Sequence, residues 1–220
     1  MKSILAFTLV LFTVVANAQT LSGKRVSRDI PVSSFSALKA GGVVELKLVQ
    51  SDKESVTVDA DEALQGYVHI VNNGNTLEID TRKLNNKHIK GNWKLYVTVH
   101  FRQLSKLSIN TVGHVQNEGT LKFDNIKVDV SSVGNVDLKM DAQQLDLTSS
   151  SVGNIELAGS AAKATMRNSS VGNVRAEELK VKTMEVNNSG IGNMEINAEN
   201  ITSFQGSMLG KVRNRGQKVK

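Results

Sequence analysis

Ser132-Val133-Gly134-Asn135-Val136, Ser151-Val152-Gly153-Asn154-Ile155 and Ser170-Val171-Gly172-Asn173-Val174 are one phrase written three times. A relaxed copy follows at Gly190-Ile191-Gly192-Asn193-Met194. Degraded copies flank the run at Thr111-Val112-Gly113-His114-Val115 and Met208-Leu209-Gly210-Lys211-Val212. The central glycines step by 21, 19, 19, 20 and 18 residues. Self-similarity at this period marks a stacked array, in which one coil cannot bury its apolar face alone.

Aligning the copies on their glycines turns the sequence into columns. One column holds Leu107, Val128, Leu147, Met166, Val186 and Phe204, and two residues earlier stand Ser105, Ile126, Leu145, Ala164, Met184 and Thr202. Val112, Val133, Val152, Val171, Ile191 and Leu209 precede the glycines; Val115, Val136, Ile155, Val174, Met194 and Val212 lie two residues after them. Apolar residues at period 2 with polar residues between are the signature of half-buried strands. Each coil is therefore expected to hold two or three short strands, with all four columns forming a central ladder.

The expected fold is all-β: a single-stranded parallel β-solenoid, right-handed, with coils of 18–21 residues. Gly113, Gly134, Gly153, Gly172, Gly192 and Gly210 are expected at corners that need φ > 0 or close backbone approach. Asn135, Asn154, Asn173 and Asn193 are placed to bond up and down the stack, as stacked amides do. The serine pairs before the corner are placed to satisfy turn backbone. A leucine-rich repeat would need Leu-x-x-Leu-x-Leu, and a calcium-binding nonapeptide repeat an Asp after Gly-x-Gly; neither pattern is present.

Outside the repeats, Lys2, the apolar run Ile4 to Val15 and Ala16-Asn17-Ala18 have the layout of a signal peptide, assigned to residues 1–18. Export to the periplasm, outer cell surface or medium is the implied destination. No later stretch is long and apolar enough to span a bilayer as a helix. There is no cysteine, so stability must come from burial and backbone hydrogen bonds. The chain carries 27 basic and 21 acidic residues, a formal net charge of +6. That mild excess and the implied export argue against nucleic acid as a partner. Basic residues gather at Arg82, Lys83, Lys87, Lys90 and Lys94, and at Lys211, Arg213, Arg215, Lys218 and Lys220.

Residues 19–210 are expected to form one domain, irregular over 19–103 and regular over 104–210, followed by a basic tail at 211–220. In the irregular part, Phe35-Ser-Ala-Leu38 resembles Leu104-Ser-Lys-Leu107 and leads into Gly41-Gly42-Val43-Val44. Alternating runs at Ser55–Ala60, Val68–Val71, Thr76–Asp80 and Lys94–Phe101 are separated by Asn72-Asn73-Gly74-Asn75 and Gly91-Asn92. These predict longer coils or hairpins continuous with the stack.

Four segments together resemble the GIN-type head domain of putative auto-transporter adhesins, a family of exported Bacteroidetes-type proteins. They are Phe35-Ser-Ala-Leu38, Ser55-Val56-Thr57-Val58-Asp59-Ala60-Asp61-Glu62, Asn73-Gly74-Asn75-Thr76-Leu77-Glu78-Ile79 and Leu95-Tyr-Val97-Thr-Val99 before the Gly/Asn coils. The resemblance spans essentially the whole mature chain. It implies an adhesin-like role and brings no catalytic motif. The membrane barrel that "auto-transporter" implies has no counterpart here, because the repeated lipid-facing strands of a barrel are absent.

Candidate chemistry is sparse. Asp59, Asp61 and Glu62 read as a solvated turn, and His69, His88, His100 and His114 show neither metal-ligand spacing nor a carboxylate partner motif. No cofactor motif is found. Trp93, in the loop Lys90-Gly-Asn-Trp-Lys94, is the best single candidate for a ligand contact, with Lys90 and Lys94 beside it; packing over the solenoid's N-terminal edge is the structural alternative. The expected function is non-enzymatic binding at the cell envelope, to a glycan or another surface protein. A carbohydrate-active enzyme on the irregular half and a purely structural envelope protein are the rivals.

Overall fold

The computed structural model describes residues 20–84, 87, 89, 91–206 and 208–216. The leader assigned to residues 1–18 lies outside the described residues, as do His88, Lys90, Lys218 and Lys220. In chain order the strands are β1 (Arg25–Pro31), β2 (Ala37–Val43), β3 (Glu45–Gln50), β4 (Ser55–Asp61), β5 (His69–Asn73), β6 (Thr76–Asp80) and β7 (Tyr96–Phe101). There follow β8 (Lys106–Val112), β9 (Val115–Glu118), β10 (Leu121–Val130), β11 (Val136–Ser149), β12 (Ile155–Asn168), β13 (Val174–Asn188), β14 (Met194–Gln205) and β15 (Val212–Asn214). All are hydrogen-bonded into one continuous sheet.

From β8 onward the pairing is parallel, and it makes a β-solenoid of five turns between the six glycine corners. Each regular coil is one bent strand of 14 or 15 residues plus a corner, not two or three short strands. Parallel ladder bonds run through the bend, so the backbone turns without losing its partners. The first half joins in register: β2 pairs β8 with Leu38 beside Leu107 and Ala40 beside Ile109, and β3 pairs β9. Residues 37–50 are thus a coil of the stack.

The core column Leu107, Val128, Leu147, Met166 and Val186 is buried along its length and pairs in that order. Each such side chain is worth about 1.5–3 kcal/mol of burial, repeated once per coil. The neighbouring column ends differently from the alignment. A register shift after Met184 sets Ile201 opposite it, so Thr202 leaves the column.

The column before the glycines is not part of the core. Val112, Val133, Val152, Val171 and Ile191 are bridged to one another in series yet are 47–57% exposed. Counting by twos from Val128 explains this: Val130 and Ser132 are in phase with the core, and Val133 is out of phase. The inward positions at the corner are polar. Thr111, Ser132, Ser151 and Ser170 are buried there. Ser132 N–H donates to Ser151 Oγ at 3.2 Å and Ser151 N–H to Ser170 Oγ at 3.0 Å. A second buried ladder runs from Ser149 Oγ to Asn168 Oδ1 and from Asn168 Nδ2 to Asn188 Oδ1, both at 2.7 Å. Polar groups can stay inside because each bonds its counterpart one coil away.

The two ends differ. At the N-terminal end β1 pairs antiparallel with β4 and β4 antiparallel with β7, and β5 folds antiparallel onto β6 across the turn at Gly74. A 3-10 helix, Glu62–Tyr67, plugs the core with the fully buried Leu64, and a second, Arg82–Leu84, adds Leu84. At the C-terminal end β15 covers only Met194, Glu195 and Ile196 of β14. Val212–Asn214 is therefore part of the last coil, with Arg213 and Arg215 in it, rather than a separate tail.

Candidate functional site

The corner is built by a backbone that excludes side chains. Gly113, Gly134, Gly153, Gly172 and Gly192 have φ between 137° and 144°, a region that L side chains rarely adopt. A Cβ on Gly153 would also run into the carbonyl oxygen of Gly134, and one on Gly172 into that of Gly153. Gly210 stands in the same row and its Cβ would meet Gly192, but its φ is not in the left-handed region. The glycine column therefore permits coils to stack at strand spacing and turns the preceding residue outward.

What turns outward is a ridge. Val43 pairs Val112, and the series continues through Val133, Val152, Val171 and Ile191. With about 4.8 Å per coil, the crest from Val43 to Ile191 is on the order of 24 Å long. Its flanks carry no charge over residues 131–136, 150–155, 169–174 and 189–194. On one flank the asparagines form a ladder in which each side chain serves the next coil's backbone. Asn154 N–H donates to Asn135 Oδ1 at 3.3 Å, Asn173 N–H to Asn154 Oδ1 at 3.2 Å and Asn193 N–H to Asn173 Oδ1 at 3.0 Å. At the start of the row His114 N–H donates to Glu45 Oε2 at 2.9 Å.

Beyond the asparagines lies a broad polar face formed by β1, β4, β7, β3, β9 and the strands that follow. Its charges are matched. Lys94 pairs with Glu45 at 3.4 Å, His114 with Asp137 at 3.5 Å, and Lys47 with Glu118. Arg175 pairs with Glu156 across adjacent coils, and Arg215 with Glu195 at 3.1 Å. Two shallow concavities mark this face. One, of about 380 Å³, is lined by Glu45, Lys94, Tyr96 and His114; the other, of about 310 Å³, by Asp137, Glu156, Arg175 and Glu177. Burial raises the Asp137 carboxyl above the ordinary range, with His114 opposing and Glu156 adding to the rise. Among the described residues no group of three or more His, Asp or Glu could hold a metal ion.

The residues singled out in the sequence fall apart in space. Trp93 is half-buried and packs against the core, while Lys94 is exposed on the polar face and tied to Glu45. Tyr96 is partly exposed, but the Arg25 guanidinium lies 4.7 Å from its ring centroid. Asp61 is a structural clasp: its carboxylate accepts from Ser22 N and Oγ, Gly23 N and Ala63 N at 2.9–3.0 Å. Those bonds hold its pKa below the usual carboxylate range. The ridge itself was hidden in the sequence by its apolar composition. The in-phase serines were the signal that could have revealed it.

A solenoid whose inside is closed by polar ladders, whose outside presents a neutral ridge and a charge-matched face, defines a scaffold that displays surfaces. The chain belongs to the family described as putative auto-transporter adhesin, head GIN domain, whose profile matches residues 34–217. It is similar to a crystal structure of a putative adhesin from Bacteroides fragilis, at 25% identity and a TM-score of 0.79, over 89% of this chain and 99% of that one. A putative adhesin from Parabacteroides distasonis shares the fold at 20% identity and a TM-score of 0.59, over 90% and 100% of the two chains. A protein of that organism described as a putative lipid binding protein does so at 18% identity and 0.60, over 88% and 98%. No curated protein matches the sequence.

Proposed function

We propose that this chain is an exported, non-catalytic adhesin-like module that binds another protein of the cell envelope through the ridge from Val43 to Ile191. The observation that carries the reading is a row of aliphatic side chains, about half exposed from Val112 to Ile191, held at fixed spacing along the stack and bordered by uncharged residues from Val133 to Ile191. Contiguous apolar surface of this kind on a soluble domain marks an interaction site more often than not. A rigid ridge also loses little conformational entropy when it docks. A glycan partner is less favoured, because Trp93 packs on the core and Tyr96 carries Arg25, so neither offers an open aromatic platform. A lipid surface, suggested by the description of one structural neighbour, would call for cations beside the apolar crest, and the flanks of this one are neutral.

An enzyme would have to use Asp137, the one carboxyl here whose pKa is raised. Its neighbour Glu156 is engaged by Arg175, so Glu177 in the same concavity is the carboxylate left to act as the second group that glycoside hydrolysis needs.

The test is binding of the purified protein to envelope fragments from the organism that makes it. Binding should be abolished by protease treatment of the fragments and by the double variant Val152→Asp/Val171→Asp. Binding that survives the double variant refutes the ridge. Loss on periodate but not protease treatment makes the partner a glycan, and retention on protein-free vesicles makes it lipid.

A further inference from the structure

The last coil leaves the core open. Phe204 occupies the core column of Val186, which is buried, yet Phe204 is 57% exposed, and among the described residues no coil covers it. Ile201 continues the Met184 column and is only partly buried. Leu209 is 72% exposed and Met208 is wholly exposed at the same end. Among the described residues no strand pairs the outer edge of β14 beyond Ile196. Asn214 substitutes for a strand at one point only, its side-chain amide bonding both N–H and C=O of Ala198 at 2.9 Å.

We propose that this end is a homodimer interface, in which two copies pair their β14 edges antiparallel across a two-fold axis and cover each other's open core. An unpaired edge is a template for another strand, and here three features select a second copy of this chain. First, antiparallel pairing about a two-fold axis makes one segment its own complement. Second, Asn200-Ile201-Thr202-Ser203-Phe204-Gln205-Gly206 carries no charge, so two copies meet without the repulsion that like charges on facing strands produce. The nearby Arg213 and Arg215 are engaged with Glu195 on the polar face. Third, the contact closes at two subunits. The opposite end is edged by β1, with Arg25, Arg28, Asp29 and the terminal Pro31, and by the short β5. Leu64 and Leu84 fill its cross-section, so among the described residues it has no open core column like that of Phe204 to continue a filament.

Sedimentation equilibrium of the purified chain at about 10 µM, a concentration that populates any dimer of micromolar affinity, tests the assignment. The wild type should be a dimer. Ser203→Lys, which sets like charges on the facing strands, and Leu209→Lys, which places charge on the apolar end, should each be monomeric with an unchanged far-ultraviolet circular dichroism spectrum. Val152→Asp, on the ridge, should remain dimeric. If either end variant loses its β-sheet spectrum, the other decides. A monomeric wild type, a dimer that survives both folded end variants, or a dimer lost only in Val152→Asp overturns the proposal. So does an open-ended series of oligomers.

Discussion

The N-terminal and C-terminal ends of this solenoid face the same physical problem and meet it differently. A stack of coils ends in two unpaired edges and two exposed cross-sections of core. The N-terminal cross-section is filled by Leu64 and Leu84 on short 3-10 helices, and its edges are turned over by antiparallel strands. The C-terminal cross-section keeps Phe204 in a core column with no described residue stacked above it. Irregular sequence is thus spent where the chain must stop stacking, and the regular sequence runs out where it stays open. A repeat cannot cap itself, because every residue in it is chosen to be covered by the next copy.

Placing one substitution at the middle and at the open end breaks that comparison most directly. Gly153→Val forces a branched residue onto φ of 142° and drives its Cβ into the Gly134 carbonyl, with coils packed on both sides. We expect a loss of about 3 kcal/mol or more, enough to lower the melting temperature by at least roughly 6–12 °C. Gly210→Val meets Gly192 in the same way, but among the described residues only the short β15 follows it, so the last coil yields and the melt moves much less. Equal losses in thermal melts would mean that the C-terminal coil is held as firmly as the centre.

The next contrast is between the two cross-sections themselves. Leu64→Ala opens a cavity in a plugged core and should cost about 2–5 kcal/mol. Phe204→Ala, at an end already exposed, should cost under about 1 kcal/mol in the monomeric background of Ser203→Lys. Chemical denaturation of the pair of variants measures both. A larger loss at Phe204 would show that the open end is ordered by contacts within the chain.

How much of this was legible follows from which residues repeat. The solenoid, its period and the glycine corners could be read because five coils state the same constraint, and chance does not do so. The joining of Leu38 to Leu107 could be read from one local similarity. The outward turn of Val152 could not be read from hydrophobicity, since a valine looks alike in a core and on a crest; phase counted from Val128 was needed. Nor could the clasp at Asp61, which serves Ser22 and Gly23 some forty residues earlier in the chain. Trp93 attracted attention by rarity alone, and rarity carries no geometry. The bulge that swaps Thr202 for Ile201 is a local slip that any alignment on glycines steps over.

Smaller effects separate the ladder from the crest. Asn154→Ala removes the acceptor for Asn173 N–H and should cost about 1 kcal/mol, whereas Val152→Ala, half exposed, should be close to neutral for stability. If the valine matters more than the asparagine in a melt, the ridge is a packing element rather than a displayed surface.

The smallest expected effect is also the one with the clearest sign. Asp61, at the closed end, has its pKa lowered chiefly by the Ser22 backbone N–H, helped by Ala63 and Gly23. Asp137, on the polar face, has its pKa raised chiefly by burial. A carboxylate with a lowered folded pKa adds stability above its unfolded pKa of about 3.9 and loses it as pH falls through the folded value; a raised one does the reverse. Asp61→Asn should therefore lower the melting temperature at pH 7, with the deficit shrinking as the medium is acidified below about pH 4. Asp137→Asn should raise it at pH 7, by about 1–2 °C at most because the site is partly solvated and the pairing with His114 is lost. That gain should fade as pH falls through the raised pKa, where the wild-type carboxyl becomes neutral like the amide. Parallel melts at pH 7 and pH 3.5 decide. Should Asp137→Asn destabilise at pH 7, the contact with His114 outweighs desolvation, and the polar face is held together by its side-chain pairs rather than merely balanced by them.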